Sequence, residues 1–400
     1  MILERVKLTN FRNLAQIELD VSPQINIFLG RNGQGKTNFL EALGYLSLGR
    51  SPRGARDQEL IHFRQEFCRV EITVKDRHGD VTRLEAAIPR EGKKRLRRDS
   101  QPVDRLSDLV GSWSVVRFDP DEVELAKGSP EHRRRFLDHT LSLGSAEYFR
   151  RLLDYRRALA QKNRLLKAWP RVGPAEIEVW NAELVEGGSP LLVERSRVLS
   201  RLEELAAEIY AEMAPSGGRL RLRLQSTVLP ADFEASSDAE EDLARTRDHF
   251  RVALEDARWE ESRFGHSRVG PHRDRLEILL RDRSLRRYGS QGEMRTASIA
   301  LKLAQGELLL ERTHSRPAIL LDDIFSELDR DRTDALQTWL HQEHQLFIAT
   351  ARVDDVVGMR DWPGLRVWRV EGGRLTELEK IDDAALEALR SEFEEEGAGG

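Results

Sequence analysis

An eight-residue segment near the start of the chain has the residue types and spacing needed to hold a nucleoside triphosphate. It fits the pattern G-x-x-x-x-G-K-[ST], and its members are Gly30, Arg31, Asn32, Gly33, Gln34, Gly35, Lys36 and Thr37. In such a loop the backbone N–H groups surround a β-phosphate at the positive end of the following helix. The pattern predicts that Lys36 reaches the β- and γ-phosphates and that the Thr37 hydroxyl is a ligand of Mg²⁺.

The segments on either side of this loop have the patterns that a phosphate-binding loop requires. Residues 25–29 form a short run of β-branched, aromatic and aliphatic side chains, which predicts a buried strand. Residues 38–48 carry apolar side chains near helical spacing. The predicted order of strand, loop and helix distinguishes the motif from an ordinary glycine-rich turn.

A second segment, residues 318–323, predicts the other half of a hydrolytic site. Four apolar residues are followed there by Asp322 and Asp323. We expect Asp322 to hold Mg²⁺ and Asp323 to orient or deprotonate the attacking water, so that Lys36 and Asp323 are the catalytic pair. Adjacent residues of a strand point to opposite faces, so both acids serve one site only where the strand ends and the backbone turns.

Three further positions complete a pattern resembling that of ATP-binding cassettes. The tetrad Ser290, Gln291, Gly292 and Glu293 opens a predicted helix about 30 residues before the aspartate pair. It resembles the S-x-G-Q/E signature, which in cassettes meets the γ-phosphate bound to another subunit, although the same residues also suit an ordinary N-cap. Asp329 then stands at the D-loop position, and Thr350 stands at the switch position, where transport cassettes usually have histidine.

Length and composition limit the class of protein. With 400 residues the chain exceeds one ordinary core, so two domains, or a core with an inserted lobe, are expected. The single cysteine, Cys68, excludes an intramolecular disulfide and fits a reducing compartment. No signal-peptide core and no apolar run long enough to span a bilayer is visible, so we expect a cytoplasmic protein that does not enter membranes.

The order of predicted elements divides the chain. Residues 1–120 and 260–378 alternate strands and helices, which predicts one α/β head split in sequence. Residues 121–259 predict a mainly helical inserted lobe, with breaks at residues 144, 170–173 and 187–190. Residues 379–400 predict an acidic tail that frays.

Two basic clusters are candidate DNA contacts. The first follows the phosphate-loop helix and contains Arg50, Arg53 and Arg56; the second, on a predicted hairpin, contains Lys93, Lys94, Arg95, Arg97 and Arg98. Such clusters bind phosphates without sequence preference and in a salt-sensitive way, but a solvated run of charges has the same composition.

Trp259 and Phe264 could stack on bases. We expect them to pack in a core instead.

Beyond these motifs the chain resembles the RecF family of DNA replication and repair proteins, the recombination mediators. The resemblance runs from residue 1 to about residue 378. It rests on residues 8–14, 118–121, 128–138, 270–274, 303–306 and 322–329. The Gly-Ser-Pro block at 128–138 and the Gly-Pro-His-Arg-Asp block at 270–274 are the most specific, because other cassette ATPases lack them.

The resemblance implies a fold and a switch. The implied fold is α/β, an ABC-type P-loop ATPase core like the heads of SMC proteins, with a compact helical lobe in place of their coiled coil. The implied switch is an ATP-dependent homodimer, in which two nucleotides lie between the phosphate loop of one subunit and Ser290 and Gly292 of the other. Arg12 would lie near the phosphates and Asp329 at the dimer seam. Asp323 in place of the usual glutamate implies slow turnover.

The resemblance also implies partners and a role. These are binding to gapped DNA or single-strand/double-strand junctions, a weak DNA-stimulated ATPase, and action with RecR, and in many bacteria RecO, to load RecA in repair, replication restart and the SOS response. One alternative is a cassette ATPase that regulates a non-DNA partner, such as an anti-phage effector. A transport cassette is disfavoured by Thr350 and by a gap of about 250 residues between phosphate loop and signature.

Overall fold

The computed structural model describes residues 1–119, 123–169, 171, 173–340, 344–379 and 381–395. The chain forms two compact units: Met1–Pro120 with Leu309–Gly400, and Asp121–Leu308. Of the segments singled out in the sequence, residues 120–122, 170, 172, 341–343, 380 and 396–400 lie outside the described part. None of the helices described is long and apolar enough to cross a membrane.

The first unit contains an antiparallel sheet. Its strands are β1 (Ile2–Phe11), β2 (Leu14–Asp20), β4 (Phe67–Lys75), β5 (Val81–Pro89), β6 (Arg95–Arg98) and β7 (Gln101–Pro102). Their order across the sheet is β2-β1-β4-β5-β6-β7. Buried and exposed residues alternate along much of β2 and β5, as expected for a sheet with one face in the core and one in solvent.

The second sheet of this unit is mainly parallel. Its strands are β3 (Ile25–Leu29), β8 (Val115–Phe118), β12 (Ala318–Asp322), β13 (Leu346–Thr350), β14 (Leu365–Glu371) and β15 (Arg374–Glu377), in the order β15-β14-β3-β13-β12-β8. Only the β14–β15 pair is antiparallel. Every residue of β3, β12 and β13 is buried, as expected for central strands covered on both faces. Because these three strands are parallel, their carboxyl ends lie at one edge of the sheet.

Among the described residues, the α-helices that lie wholly in this unit are α1 (Lys36–Leu48), α9 (Arg330–Leu340), α10 (Val353–Met359) and α11 (Asp383–Glu395). Helix α1 is buried along most of its length, and Phe39 on α1 packs on Phe28 of β3 with ring centroids 4.5 Å apart. The prediction of a fraying tail is wrong for residues 383–395, because α11 packs against α10 and buries Leu386 and Leu389.

The second unit contains helices and a small sheet. The helices are α2 (Val123–Lys127), α3 (Pro130–Gly144), α4 (Ala146–Lys167), α5 (Pro174–Met213), α6 (Ala239–Phe264), α7 (Leu285–Tyr288) and α8 (Gln291–Thr313), the last of which continues past the unit boundary. The strands are β9 (Leu220–Gln225), β10 (Arg275–Leu280) and β11 (Arg283–Ser284), in the order β11-β10-β9.

Two expectations about the lobe need correction. The predicted break at residues 187–190 is absent, because α5 continues through Pro190. A side chain at Gly188 would meet the rings of Phe250 and Tyr155, so this glycine permits close helix packing. Residues 260–308, expected in the head, belong to the second unit. The reason is pairing: β10 pairs along its length with β9, as in Leu276 opposite Leu224.

The two family-specific sequence blocks meet in the core of this unit. Asp138, from the first block, and Asp274, from the second, each accept a hydrogen bond of 2.6 Å from Arg195 of α5. Arg133 and Arg134 donate to the backbone carbonyls of Leu276 and Asp274. Arg195 is almost fully buried, so its charge is balanced by these two carboxylates. Both blocks therefore build the lobe.

Candidate nucleotide site

The predicted phosphate-binding loop links β3 to α1. Gly33 and Gly35 have φ values of 81° and 120°, a region that residues with a Cβ rarely adopt. At Gly30 the constraint is space, because a Cβ would lie 2.2 Å from the backbone oxygen of Val370. The glycines of the motif thus allow the tight path between strand and helix.

Lys36 lies beneath this loop and is only 5% exposed. Its Nζ donates to the backbone oxygens of Gly30, at 2.5 Å, and Arg31, at 2.9 Å. Burial lowers the pKa of Lys36, while the charges of Asp323 and Asp322 act in the opposite direction. A phosphate would supply the nearby negative charge that favours the ammonium form.

Thr37 and Asp322 are brought together as predicted for the two sides of a metal site. The Thr37 hydroxyl donates to Asp322 Oδ1 at 2.8 Å. Burial raises the pKa of Asp322, opposed first by the Thr37 hydrogen bond and then by the charge of Arg117. The Arg117 Nη2 lies 3.6 Å from Asp322 and 3.3 Å from Asp119. The sequence reasoning missed Arg117 and Asp119, although both lie on or directly after β8, the neighbour of β12.

Asp323 lies where the backbone turns at the end of β12. Its φ of 52° is left-handed, and its N–H donates to the backbone oxygen of Ala349 at 2.8 Å. Because the backbone turns at Asp323, its side chain does not follow the alternating side-chain directions of the strand. Asp322, the last residue of β12, and Asp323, the next residue, consequently lie at one strand end, and the charges of both raise the pKa of Lys36.

Thr350 ends β13 and touches the start of the loop. Its backbone oxygen accepts from the Gly30 N–H at 3.2 Å, and its buried hydroxyl donates to Asp355 at 2.5 Å. Burial raises the pKa of Asp355. The proposed switch position is therefore coupled to the loop through the backbone and to α10 through its side chain.

Several neighbours of the loop were not predicted. The side chain of Asn13 bonds to that of Asn38 at 2.9 Å and donates to the Gly33 oxygen at 3.5 Å. Gln34 accepts from the N–H groups at the β14–β15 turn. Arg31 Nη2 donates to the Phe393 oxygen of α11 at 2.7 Å. Arg31 and Gln34 belong to the predicted motif, but the contacts that they and Gly33 make were not predicted. Among these partners, Asn13 lies in residues 8–14, one of the family-like segments.

The guanidinium of Arg12 bonds to protein groups. It forms a two-point contact with Glu41 of α1, at 3.1 and 3.2 Å, and donates to the Glu59 oxygen at 3.0 Å. Glu41 is fully buried and also binds Ser51 and Arg53. The position of Arg12 near the phosphates stays a prediction, since this carboxylate holds the side chain in the present structure.

The signature segment begins α8 with a reciprocal cap. The Ser290 hydroxyl accepts from the Glu293 N–H at 3.2 Å, and Glu293 Oε2 accepts from the Ser290 N–H at 2.8 Å. Hydrogen bonds from Ser290 lower the pKa of Glu293, and Arg281 lies 3.2 Å from it. The negative charge of Glu293 is thus balanced within its own unit. Gln291 and Gly292 form the first turn of the helix.

Asp329 is exposed and caps α9, accepting from the Arg332 N–H at 3.0 Å. In the first basic cluster, Arg53 and Arg56 are exposed and Arg50 is half-buried. Arg53 lies 3.5 Å from buried Glu41.

The second basic cluster lies on β6 and the turn before it. Lys93, Arg95, Arg97 and Arg98 are exposed, but Lys94 is held by Asp57 at 2.9 Å and the Gly49 oxygen at 2.6 Å. Lys94 therefore anchors the hairpin to the end of α1, and the other four remain available for contact with DNA.

The expectation that Trp259 and Phe264 pack in a core is wrong. Trp259 is 67% exposed and Phe264 is 52% exposed, both near the end of α6. Their rings contact the Arg263 guanidinium, which lies 5.3 and 5.7 Å from the two ring centroids.

Comparison with known proteins agrees with this architecture. The chain matches the family model of the RecF/RecN/SMC N terminal domain over residues 2–369. A DNA replication and repair protein RecF from Symbiobacterium thermophilum is 36% identical, over 96% of this chain and 100% of the relative. The corresponding protein of Lysinibacillus sphaericus is 35% identical, over 89% of this chain and 94% of its own length.

Solved structures give the same result. The recombination mediator protein RecF-ATP in the RecFOR pathway has a TM-score of 0.83 at 28% identity, covering 94% of this chain and 97% of that one. A Smc head domain from Pyrococcus furiosus has a TM-score of 0.54 at 16% identity, covering 98% and 99%, which supports the fold alone.

The fold and the loop define an ABC-type P-loop protein of the SMC-head class, with an inserted helical lobe. Within that class, the chain belongs to the RecF family of DNA replication and repair proteins. The resemblance that the sequence motifs indicated is confirmed.

Proposed function

We propose that this protein is an ATP-dependent DNA-binding recombination mediator whose two subunits join around ATP. The observation that carries the proposal is the placement of Lys36 beneath the loop, with the Thr37 hydroxyl 2.8 Å from Asp322. Together with Asp323, these groups match what phosphoryl-transfer sites require: a cation for phosphate oxygens, two metal-binding oxygens and a carboxylate for water.

The Thr37–Asp322 pair fits Mg²⁺, which prefers hydroxyl and carboxylate oxygens. When bound, Mg²⁺ neutralises charge on the β- and γ-phosphate oxygens of ATP. Lys36 leaves the Gly30 and Arg31 oxygens for the phosphates, and the loop N–H groups bind the β-phosphate. Asp323 orients the attacking water, and its short side chain supports slow hydrolysis.

Assembly uses the signature in trans. Ser290 and Gly292 of one subunit approach the γ-phosphate on the other, and Asp329 and Thr350 transmit the state of the nucleotide across the seam. In the single chain, Glu293 accepts from the Ser290 N–H and hydroxyl. The γ-phosphate therefore competes with this carboxylate, so the cap resists assembly until ATP is bound.

The assembled dimer binds gapped or single-strand/double-strand junction DNA in the cytoplasm and acts with RecR, and with RecO where it is present. Its output is the loading of RecA in repair, replication restart and the SOS response. Exposed Arg56, Lys93, Arg95 and Arg97 supply sequence-independent phosphate contacts. DNA stimulates the weak ATPase, and hydrolysis releases the dimer.

The first experiment is light scattering without nucleotide and with Mg-ATP, on wild type and Asp323→Asn, followed by DNA affinity in both states. We expect the mass to double with ATP and to stay doubled in the variant, with DNA affinity rising in parallel. A mass indifferent to ATP would contradict the switch. Doubling without any DNA affinity would instead favour a cassette ATPase with a non-DNA partner.

A further inference from the structure

An exposed aromatic patch lies at the end of α6 in the second unit. It consists of Trp259, Arg263 and Phe264, and both rings face solvent over at least half of their surface. The Arg263 guanidinium packs on both rings. No carboxylate of the described residues lies within ion-pair distance of Arg263. Contiguous exposed apolar surface rimmed by polar groups is typical of an interaction site.

A second feature of the same unit is an open cleft of about 330 Å³, which we call the arginine cleft. It is lined by Gln225, Ser226, Thr227, Arg268, Arg273 and Arg275. Arg268 joins the two features, because it lines the cleft and its guanidinium lies 5.0 Å from the Phe264 ring. The patch and the cleft therefore form one continuous surface of the unit.

The positive charge of the cleft is only partly balanced by the protein, because Arg268 has an ion pair with Glu260 whereas Arg273 and Arg275 have none among the described residues. Arg273 donates only to the Ser267 backbone oxygen, at 2.8 and 3.1 Å, and Arg275 is exposed with no ion pair among the described residues. Burial lowers the pKa of Arg273, and the charge of Arg268 lowers it further. An anion placed between these guanidinium groups would raise the pKa of Arg273 again.

The nearby acids are already engaged. Glu261 is buried against Lys162 at 2.6 Å, and Asp274 is buried against Arg195. Glu260 lies 3.5 Å from Arg268, and the charge of buried Glu261 raises the pKa of Arg273, against the effects of burial and of Arg268. The surface is thus basic in a chain whose net charge is −5.

The cleft also offers polar groups at its wall. The Thr227 hydroxyl accepts from the Gly270 N–H at 2.9 Å and keeps its own hydrogen for donation. Guanidinium forks and a hydroxyl match a phosphodiester, and exposed rings match unstacked bases. An apolar protein partner explains the rings equally well but leaves Arg273 and Arg275, which have no ion pair among the described residues, without a counter-charge.

We propose that the aromatic patch and the arginine cleft bind a segment of single-stranded DNA, with bases stacked on Trp259 and Phe264 and the backbone held by Arg268, Arg273 and Arg275. This inference rests on the proposed function, because it names the surface that meets the unpaired part of the substrate. Stacking requires unpaired bases, so we expect duplex DNA to bind this surface more weakly than single-stranded DNA.

The test is fluorescence anisotropy with Mg-ATP on three labelled ligands: an oligothymidine, a strand of equal length whose bases are replaced by abasic sites, and a duplex. We expect Trp259→Ala to bind the oligothymidine about tenfold more weakly, while Trp259→Phe keeps its affinity. On the abasic strand the Trp259→Ala defect should vanish. Arg275→Ala should weaken both single strands and lower the salt slope by about 0.7 for each phosphate that the variant no longer neutralises.

Two exposed residues of the same unit serve as controls. Val252→Ala removes an apolar side chain from α6, and Arg157→Ala removes an arginine from α4. Both should bind every ligand like wild type. If Trp259→Ala and Arg275→Ala also bind like wild type, while wild type binds DNA only with ATP, this inference fails and the proposed function stands.

The remaining outcomes are equally decisive. Wild type that binds none of the three ligands in its ATP state would overturn this inference before any variant is made, and if a gapped duplex is not bound either, the proposed function falls with it. Variants with normal DNA affinity but weakened binding to purified RecR would also overturn the inference, and would assign the patch to a protein partner.

Discussion

Two buried lysines, one in each unit, show opposite solutions to the same electrostatic problem. Lys36 is 5% exposed and Lys162 is fully buried, and burial lowers the pKa of both. Lys162 has a carboxylate, Glu261, at 2.6 Å and the Ser267 hydroxyl at 3.5 Å. Lys36 has only the backbone oxygens of Gly30 and Arg31 at hydrogen-bond distance among the described residues.

The difference separates a charge that stabilises the fold from a charge reserved for a ligand. Glu261 neutralises Lys162 at contact distance, and its Oε1 accepts from Ser267 and from the Arg268 N–H, so the pair is complete without further partners. The acids that influence Lys36 are Asp323 and Asp322, and Asp322 is engaged by Thr37 and Arg117. Lys36 is therefore fully balanced only when an anion enters the loop.

The largest expected effect follows from removing the reserved charge. We expect Lys36→Met to lower single-turnover ATP hydrolysis by about 10²–10³-fold, the cost of losing one preorganised cation at developing negative charge. Folding should be unaffected or slightly improved, because a buried ammonium without a carboxylate at contact distance is replaced by an apolar side chain. Quenched-flow hydrolysis and a thermal melt measure the two quantities.

The matched control is Lys7→Met, which removes a lysine paired with Glu18 on the surface of β1. It should change neither hydrolysis nor melting. A Lys36→Met protein that hydrolyses ATP normally would show that the lysine beneath the loop is structural, and the contrast with Lys162 would disappear.

The opposite result is expected in the lobe. Lys162→Met should lower the free energy of unfolding by about 3–5 kcal/mol, because it leaves the buried Glu261 carboxylate without its cation. The double variant Lys162→Met, Glu261→Leu should recover most of that loss, since buried ion pairs are often replaced by apolar pairs at little cost. Urea unfolding followed by circular dichroism measures both, and failure of the double variant to recover would show that Glu261 is needed by Ser267 and Arg268.

These contrasts also show what a sequence reveals. The loop, the aspartate pair and the family were found because their chemistry depends on neighbours within a few residues. The prediction that Trp259 packs in a core was wrong, because the exposure of a helical residue depends on which faces of α6 are covered by other elements. The break expected at residues 187–190 was wrong. The glycine at 188 is there because the rings of Phe250 and Tyr155, distant in sequence, leave no space for a side chain, and not because the helix ends. Arg12 was assigned to phosphates without knowledge that Glu41 lies beside it, since that contact joins the turn after β1 to α1.

A smaller effect is expected from His272, which lies beside the Lys162 pair in the lobe. Its Nδ1 is 2.6 Å from the Tyr155 hydroxyl and its Nε2 is 3.3 Å from the Ser267 oxygen, an arrangement that fits the neutral ring. Burial lowers the pKa of His272 to about 3. The unfolded chain binds this proton near pH 6.5 and the native protein does not, so stability is present above pH 6.5 and is lost as the pH falls.

This loss is at most about 1.4 kcal/mol per pH unit between the two pKa values. We expect His272→Asn to flatten the dependence of the unfolding free energy between pH 6.5 and 4.5. His344, whose pKa burial lowers to about 4, contributes to both proteins and cancels in the difference. Parallel curves for wild type and variant would show that His272 is already charged in the native state.

The smallest effect is expected where the C-terminal helix meets the phosphate loop. Arg31 donates to the Phe393 oxygen near the end of α11, where the helix dipole favours a cation by about 0.3–1 kcal/mol. Deleting residues 383–400 should remove this contact and raise ATP affinity about two- to fivefold, because the Arg31 guanidinium is then no longer held at the Phe393 oxygen. The measurement is equilibrium binding of a fluorescent ATP analogue.

Arg31→Ala supplies the control, since the deletion should have no effect on affinity in that background. An equal gain with and without Arg31 would mean that α11 acts on the loop by some route other than this hydrogen bond.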